Sequence, residues 1–185
     1  MGGTKQYDLF KKRSSMFNKL RLFWYFSIVH RWVNIGEKVN VQLGCFFGGA
    51  IKDIVIGSRV GIGFRCLFLC PIEIKNDVLI ASNVHFVNRS DHSYKKIGKS
   101  IYNSGRGNIG KIIICDDVWI GQSVVILAPV KIGNCSIIAA GSVVFDDVPP
   151  NSIVAGNPAK VISKRFSDED WTEHKKLLMI PDDNI

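Results

Sequence analysis

Bulky apolar residues recur at every sixth position in the second half of the chain, and a second apolar or small residue stands two positions before each of them. The column consists of Ile114, Ile120, Ile126, Ile132, Ile138 and Val144. A helix repeats near every 3.6 residues and a half-buried strand at every second residue, so neither template explains this spacing. A triangular solenoid does, because each flat side takes about six residues and three sides complete one coil.

A first block shows the same column in another phase. Its members are Ile56, Ile62, Phe68, Ile74, Ile80 and Phe86, and the inward column begins with Val33, Ile35, Val39 and Val41. The step from Phe47 to Ile56 is nine residues instead of six, so Gly48, Gly49 and Ala50 are expected to form a bulged corner. The pattern therefore predicts a β-solenoid over residues 33–162.

Glycines follow several column residues, where the chain has to turn a corner. They are Gly36, Gly57, Gly63, Gly121 and Gly133. Glycine adopts positive φ without a steric penalty, so we expect these residues to occupy that conformation. The Asn and Asp residues a few places later suit the same turns.

The repeat fails once, over residues 87–111. This segment is polar, basic and glycine-bearing, and it contains the string NRSDHSY. Long irregular loops are uncommon in compact repeats and are usually functional. We therefore expect an excursion loop that carries the chemistry.

Residues outside the repeat suggest two terminal helices. Residues 1–32 alternate Lys and Arg with aromatic residues, which is typical either of an interfacial helix on anionic lipid or of a cap on the open end of the solenoid. At the other end, over 163–185, Ser167 is a suitable N-cap, and the acidic residues 168–170 suit the first turn of a helix.

Composition narrows the class of protein. The chain has 185 residues and a net charge of +8, which favours an anionic partner such as a phosphate-bearing cofactor or acidic lipid. Nucleic acid ranks last, because no nucleic-acid-binding motif is present. The sequence predicts a cytoplasmic protein, which could work at the inner face of the membrane. Its five cysteines show no paired spacing, and it has no recognisable signal sequence and no apolar run long enough to span a bilayer. Cys66 lies on an inward position and is expected to be a core residue.

The strings VWIGQSVVILAPVKIGNCSIIAAGSVV and PPNSIVAGNPAKVI resemble the hexapeptide-repeat acyltransferases, in particular the xenobiotic, galactoside and surface-polysaccharide O-acetyltransferases. The resemblance spans about residues 33–165 and is strongest over 118–162. It implies an all-β, left-handed parallel β-helix that forms a homotrimer, with acetyl-CoA bound between neighbouring subunits and no metal required.

The resemblance also implies roles for particular residues. In the family a loop histidine removes a proton from the acceptor hydroxyl; here that residue is His92, and imidazole titrates near neutrality as a general base should. Asp91 and His85 are weaker candidates for the same cleft. The positions that match the donor site of the family are Trp119, Gln122, Ala140, Phe145 and Lys160, with Lys164 and Arg165 close enough to help.

The sequence does not identify the molecule that accepts the acetyl group. A saccharide hydroxyl, as in a surface-polysaccharide precursor, is favoured by the branch of the family; an amino sugar or other amine and an antibiotic are the alternatives. Four loop residues could stack on or hydrogen-bond a sugar: Tyr94, Tyr102, Asn103 and Arg106. A metal-dependent lyase on the same solenoid would need three converging histidines, whereas only His85 and His92 lie in the repeat region. A purely structural solenoid would not need the loop.

Overall fold

The protein is a three-faced parallel β-solenoid with a helix at each end, as seen in a computed structural model that describes residues 20–49 and 52–181. Every strand on a face is hydrogen-bonded to the strand one coil away, and the pairing runs parallel throughout the coils. In the regular coils, paired residues are 18 positions apart, as are Ile112 and Val130; the spacing is longer where extra residues intervene, as between Val33 and Ile54 or between Ile72 and Ile112. The regular spacing is three hexads, so the expected parallel β-helix is confirmed.

The strands are numbered β1–β17 in chain order and lie on three faces. The first face holds β1 (Val33–Ile35), β4 (Ile54–Ile56), β7 (Ile72–Ile74), β10 (Ile112–Ile114) and β13 (Val130–Ile132). The second face holds β2 (Asn40–Val41), β5 (Gly61–Ile62), β8 (Leu79–Ile80), β11 (Trp119–Ile120), β14 (Ile137–Ile138), β16 (Ser152–Gly156) and β17 (Ala159–Lys164). The third face holds β3 (Phe46–Phe47), β6 (Leu67–Phe68), β9 (His85–Asn88), β12 (Val125–Ala128) and β15 (Val143–Val144). The last two strands of the second face form an antiparallel hairpin, which the six-residue period did not predict.

The inward column forms one continuous core. Its isoleucines are buried on every coil of the second block, and Phe47, Phe68 and Phe86 stack in the first block with ring centroids 4.5 and 4.7 Å apart. Ile35 was expected to be inward and is instead 41% exposed. It pairs in register with the buried Ile56, but it belongs to the first coil, which no preceding coil covers.

The N-terminal helix caps the open end of the core. Residues 20–24 are α-helical and continue into a π-helical turn over Tyr25–Val29. Phe26 is buried against Phe47, and the Tyr25 hydroxyl donates a hydrogen bond to the carbonyl oxygen of Cys45 at 2.8 Å. Of the two expected roles, capping is therefore confirmed for the described part of this segment; its first 19 residues lie outside the described residues.

The C-terminal helix spans Asp168–Leu178 and begins as the sequence predicts. Ser167 is the N-cap, and its hydroxyl accepts a hydrogen bond from the Asp170 amide. In the part of the chain that the structure describes, neither this helix nor the N-terminal one is long and apolar enough to cross a bilayer.

The corner glycines have a different role from the expected one. None of the five has positive φ; instead, a Cβ at Gly63 would lie 2.6 Å from the backbone of Ala81, and the other four would meet the next coil as closely. Parallel strands lie only about 4.8 Å apart, so a side chain aimed at the next coil has no room. Most left-handed positions in the turns of the coils are occupied by non-glycine residues, including Asp77, Asn83 and Asp117, whereas Gly44 and Gly141 occupy two others.

Polar side chains join the coils at one corner. Each accepts a hydrogen bond from a backbone N–H of the preceding coil, at 2.8–3.0 Å: Glu37 to Ser58, Ser58 to Asn76, Asn76 to Asp116 and Asp116 to Asn134. Because each acceptor pairs with a turn amide of the neighbouring coil, this ladder of hydrogen bonds aligns the coils.

All five cysteines are buried, and none of them forms a disulfide bond. Burial raises the pKa of Cys70 to about 12, and a hydrogen bond with Cys45 together with burial raises the pKa of the Cys66 thiol. The expected core role of Cys66 is confirmed by its 1% exposure.

The close contact between coils makes one matched pair of variants informative. Gly63→Ala should lower the free energy of unfolding by about 1–3 kcal/mol, the usual range for overpacking, because its Cβ meets fixed backbone. Gly61→Ala, two residues away, should be nearly neutral, because its Cβ meets only the end of the exposed Leu79 side chain. Chemical denaturation of both variants measures the difference; equal midpoints would contradict the packing explanation.

Candidate active site

The excursion loop leaves the third face after β9 and returns to the first face at β10. The solenoid continues as if the loop were absent, since Ile72 pairs with Ile112 in the same register as Ile54 pairs with Ile72. Asn88 closes the base of the loop: its Nδ2 donates to the carbonyl oxygen of Asn108 at 2.7 Å and its Oδ1 accepts from the Gly110 amide at 3.0 Å. One side chain thus holds both ends of the loop together.

The two arms of the loop pair with each other. His92 and Arg106 form an isolated antiparallel bridge, flanked by a hydrogen bond from the Ser93 amide to the carbonyl oxygen of Gly105 at 3.0 Å. Ser104 is buried, and its hydroxyl donates to the carbonyl oxygens of Ser93 and Ile101. The loop is therefore an internally bonded hairpin that presents His92 at a defined position.

His92 lies beside an ion pair. Arg106 Nη1 is 2.6 Å from Asp91 Oδ2, and His92 Nε2 is 3.4 Å from the same carboxylate oxygen. The His92 contact is longer than a strong hydrogen bond, whereas the Arg106 contact is short. The His92 side chain is 51% exposed, so its imidazole is accessible to a small molecule.

A cleft of about 440 Å³ lies along the loop beside His92. Its lining residues are Ser90, His92, Ser93, Tyr94, Lys95, Lys96, Arg106, Gly107 and Asn108. The structure thus brings together three of the predicted residues: His92, Tyr94 and Arg106. Tyr102 and Asn103 do not line the cleft, and the Tyr102 side chain is almost fully exposed.

His85 points outward from the third face, as its position next to the inward Phe86 predicts. It is exposed between Leu67 and Val125 of the neighbouring coils and does not line the loop cleft.

Three of the residues expected at the donor site lie on the second face and at the corner after it. Trp119 is exposed on β11, and Gln122 and Ala140 are exposed at the turns that follow β11 and β14. The backbone of the two turns is joined, since the Gly141 amide donates to the carbonyl oxygen of Gln122 at 2.8 Å.

Two residues that the sequence analysis did not identify, Arg89 and Asp146, connect Phe145 and Lys160 with the start of the excursion loop. The Arg89 guanidinium lies 4.9 Å from the centre of the Phe145 ring, and its Nη2 is 3.8 Å from Asp146 Oδ1. The other carboxylate oxygen of Asp146 is 3.5 Å from Lys160 Nζ. Asp146 therefore connects the loop that carries His92 with the lysine of the GNPA segment.

Lys164 and Arg165 lie at the far end of β17 and have other partners. Lys164 Nζ is 2.6 Å from Asp168 Oδ1, an exposed ion pair between the end of β17 and the first residue of the C-terminal helix. Arg165 Nη1 is 2.8 Å from Asp117 Oδ2, and His174 Nε2 lies 2.8 Å from the same oxygen. The Asp117 carboxylate thus holds the C-terminal helix against the solenoid.

Asp117, Cys135 and His174 are the one group in the described residues whose donor atoms lie close enough together to hold a metal ion. Burial raises the pKa of Cys135 to about 11, and the Arg165 guanidinium already contacts the Asp117 carboxylate. A protonated thiol and an adjacent fixed cation both oppose metal binding, so we assign this cluster to the docking of the helix.

Comparison with known proteins agrees with this architecture. Residues 111–146 match the family model of the bacterial transferase hexapeptide (six repeats). The chain is 32% identical to a galactoside O-acetyltransferase of Escherichia coli K12 over 145 residues, which are 77% of this chain and 68% of that protein. It is 48% identical to a chloramphenicol acetyltransferase of Escherichia coli over 120 residues, which are 65% of this chain and 55% of that protein.

A solved structure extends the comparison to three dimensions. A hexapeptide-repeat acetyltransferase of Vibrio cholerae, complexed with acetyl coenzyme A, superposes with a TM-score of 0.65 at 34% identity, covering 77% of this chain and 76% of that chain. Against four of its curated relatives, however, the match spans only 29–55% of the relative's length. The repeat, the alignment with the galactoside O-acetyltransferase and the superposition on the Vibrio cholerae structure together show that the chain belongs to the hexapeptide-repeat acetyltransferase family.

Proposed function

We propose that the protein transfers an acetyl group from acetyl-CoA to a hydroxyl group of a saccharide, with His92 as general base. The observation that carries this proposal is the position of His92, on the wall of a cleft in a loop that the fold anchors at its base through Asn88. The similarity to a galactoside O-acetyltransferase supports a sugar hydroxyl as acceptor. Transfer to an amine or to an antibiotic are the alternatives, the latter supported by the similarity to a chloramphenicol acetyltransferase.

The proposed reaction needs no covalent intermediate on the enzyme. His92 takes the proton of the acceptor hydroxyl while the oxygen attacks the thioester carbonyl carbon. The tetrahedral intermediate then collapses, the C–S bond breaks, and the coenzyme A thiolate receives the proton from the imidazolium. The products are the acetyl ester and free coenzyme A, so atoms and charges balance.

The ion pair beside His92 would orient its ring. Asp91 lies nearer to Arg106 than to His92, so the guanidinium fixes the carboxylate while one carboxylate oxygen stays within 3.4 Å of the imidazole. Asp91 and Arg106 are therefore proposed as positioning residues. Tyr94, which lines the cleft, is proposed to contact the acceptor, whereas His85, Tyr102 and Asn103 lie outside the cleft lining and are weaker candidates.

The donor site is proposed to follow the exposed residues Trp119, Gln122 and Ala140 toward Phe145, with Lys160 near the coenzyme A phosphates. Lys160 is exposed and shares Asp146 with Arg89, so an anionic phosphate could join this pair of cations. Lys164 is the next candidate along β17. Arg165 is proposed to act mainly through the C-terminal helix, because Asp117 occupies its guanidinium.

A homotrimer is part of the proposal, because the family resemblance places the donor site between subunits. It is supported by exposed apolar side chains on adjacent coils of the second face, where Leu79 is 60% and Trp119 53% exposed and the two are in register. A cytoplasmic location remains part of the proposal, and five buried cysteines that form no disulfide bond agree with a reducing compartment.

The N-terminal helix is proposed to touch an anionic membrane surface. While Phe26 packs on the core, Leu20, Phe23, Trp24 and Ile28 are all more than half exposed, at the spacing of one helix face. The sequence before this face is basic, with five Lys or Arg and one Asp in residues 1–19. Exposed aromatic residues beside basic residues are typical of interfacial helices.

Replacement of His92 tests the mechanism directly. His92→Ala should lower kcat by about 10²- to 10⁴-fold, because the proton acceptor is lost, while the dissociation constant for acetyl-CoA stays unchanged. Thiol release with a panel of sugars, amino sugars and chloramphenicol measures kcat and identifies the acceptor class. Ile97→Ala, a fully exposed position on the same loop, is the control. Unchanged turnover in His92→Ala would refute the mechanism.

The two lysines of β17 provide a matched test of the donor site. Lys160→Ala should raise the KM for acetyl-CoA roughly 3- to 10-fold, the effect of losing one or two exposed charge contacts. Lys164→Ala should have a smaller effect, because Lys164 is paired with Asp168. With 3′-dephospho-acetyl-CoA as donor, the effect of Lys160→Ala should shrink. If Lys164→Ala raised the KM more than Lys160→Ala, the coenzyme A phosphates would instead lie near Lys164, at the other end of β17.

Vesicle binding tests the membrane proposal. The full chain should cosediment with phosphatidylglycerol vesicles and not with phosphatidylcholine vesicles, and binding should fall with salt. The double variant Phe23→Ser/Trp24→Ser should lose binding, whereas Leu177→Ser, an exposed apolar position of the C-terminal helix, should retain it. Equal binding of the two variants would contradict the proposal.

A further inference from the structure

The excursion loop carries more positive charge than its own fold uses. Its residues 89–111 contain six Lys or Arg and one Asp. Three of the cations are paired with carboxylates of the described residues: Arg89 with Asp146, Arg106 with Asp91, and Lys111 with Asp53 and Glu73. The other three are Lys95, Lys96 and Lys99, and no carboxylate of the described residues pairs with them.

Two of these three unneutralised lysines line the cleft beside His92. Lys95 and Lys96 are on its wall, and Lys99 is not. The lining contains no Asp or Glu, and Asp91, which pairs with Arg106, is not part of it. The cleft that contains the candidate base is therefore lined by positive charge.

The positions of both lysines are held by neighbouring groups. Lys96 Nζ donates to the carbonyl oxygen of Ser104 at 2.7 Å, and Ser104 is buried in the loop. An ammonium group has three donors, so two remain for a ligand. Lys95 Nζ lies 5.7 Å from the centre of the Tyr94 ring, which also lines the cleft. A saccharide that packs on this ring would lie near the Lys95 ammonium group, in a cleft that Lys96 also lines.

From this charge distribution we infer that the acceptor is an anionic saccharide, with a phosphate or carboxylate group bound by Lys95 and Lys96 while the hydroxyl that accepts the acetyl group faces His92. The inference rests on the proposed acetyl transfer and narrows its substrate class. Neutral acceptors such as simple galactosides or chloramphenicol leave the two lysines without a partner. An anionic group gains two charge-assisted hydrogen bonds and is also attracted to the cleft over a distance.

The test compares neutral and anionic forms of one sugar. Glucose, glucose 1-phosphate, UDP-glucose and glucuronic acid are offered with saturating acetyl-CoA, and thiol release gives kcat/KM for each. The charged sugars should be preferred, and the preference should fall as salt rises, because exposed charge contacts are screened. A preference shared by the two phosphate compounds indicates a phosphate-linked saccharide, and a preference for glucuronic acid indicates a carboxylated one.

Matched variants test whether Lys95 and Lys96 cause the preference for charged sugars. Lys95→Gln/Lys96→Gln should lower the ratio of anionic to neutral kcat/KM by about tenfold, the combined effect of two exposed ion pairs. Lys99→Gln lies on the same loop outside the cleft and should leave the ratio unchanged. Equal use of neutral and charged sugars by the wild-type protein, or an unchanged ratio in the double variant, would overturn the inference.

A binding measurement separates this inference from the proposed activity. UDP titrated into the wild-type protein with saturating coenzyme A should bind, and the double variant should bind it about tenfold more weakly than Lys99→Gln does. This readout needs no turnover. Weakened UDP binding without any acetyl transfer would uphold the anion site and refute the proposed function, whereas transfer to neutral sugars without UDP binding would do the opposite.

Discussion

The whole structure depends on the 18-residue register that lays each coil directly on the next. Identical inward positions then meet along the axis, so isoleucine packs on isoleucine and the three phenylalanine rings stack. The same register brings the backbone of the next coil within 2.7 Å of where a Cβ would lie at each of the five corner glycines, so these positions have no room for a side chain. It also aligns the Ser, Asn and Asp side chains that join one coil to its neighbour. Core packing and corner chemistry thus have one common cause.

A register of this kind tolerates an insertion only at a corner. The extra residues between β3 and β4 and the long excursion loop both fall between the third face and the first, and the strands on either side pair as if nothing intervened. The loop can therefore vary without cost to the core, while Asn88 and the paired arms hold it in place. A rigid prism with one anchored loop is well suited to specificity, because the loop can present a base and charged groups at fixed positions.

Charge neutralisation distinguishes the structural cations of the protein from those available to a ligand. Arg165 and Lys111 connect segments of the fold, and each has a carboxylate partner. Arg89 and Lys160 share a single carboxylate, Asp146, and so retain part of their positive charge at the proposed donor site. Lys95 and Lys96 retain all of theirs beside His92. The net charge of +8 therefore comprises cations that are neutralised within the fold and cations that remain available to a ligand.

The sequence by itself determined the solenoid, the excursion loop and the start of the C-terminal helix, because a repeated environment imposes a repeated residue and an N-cap acts within a few positions. The candidate base His92 came from the resemblance to the acyltransferases. Only the tertiary structure decided why the corner glycines are needed, that Ile35 is exposed, and which cations are neutralised. These properties depend on contacts between residues of different coils, such as Arg89 with Asp146 or Arg165 with Asp117, which lie 57 and 48 positions apart in the sequence. A six-residue period specifies which way a side chain points and contains no information about the partner that it meets there.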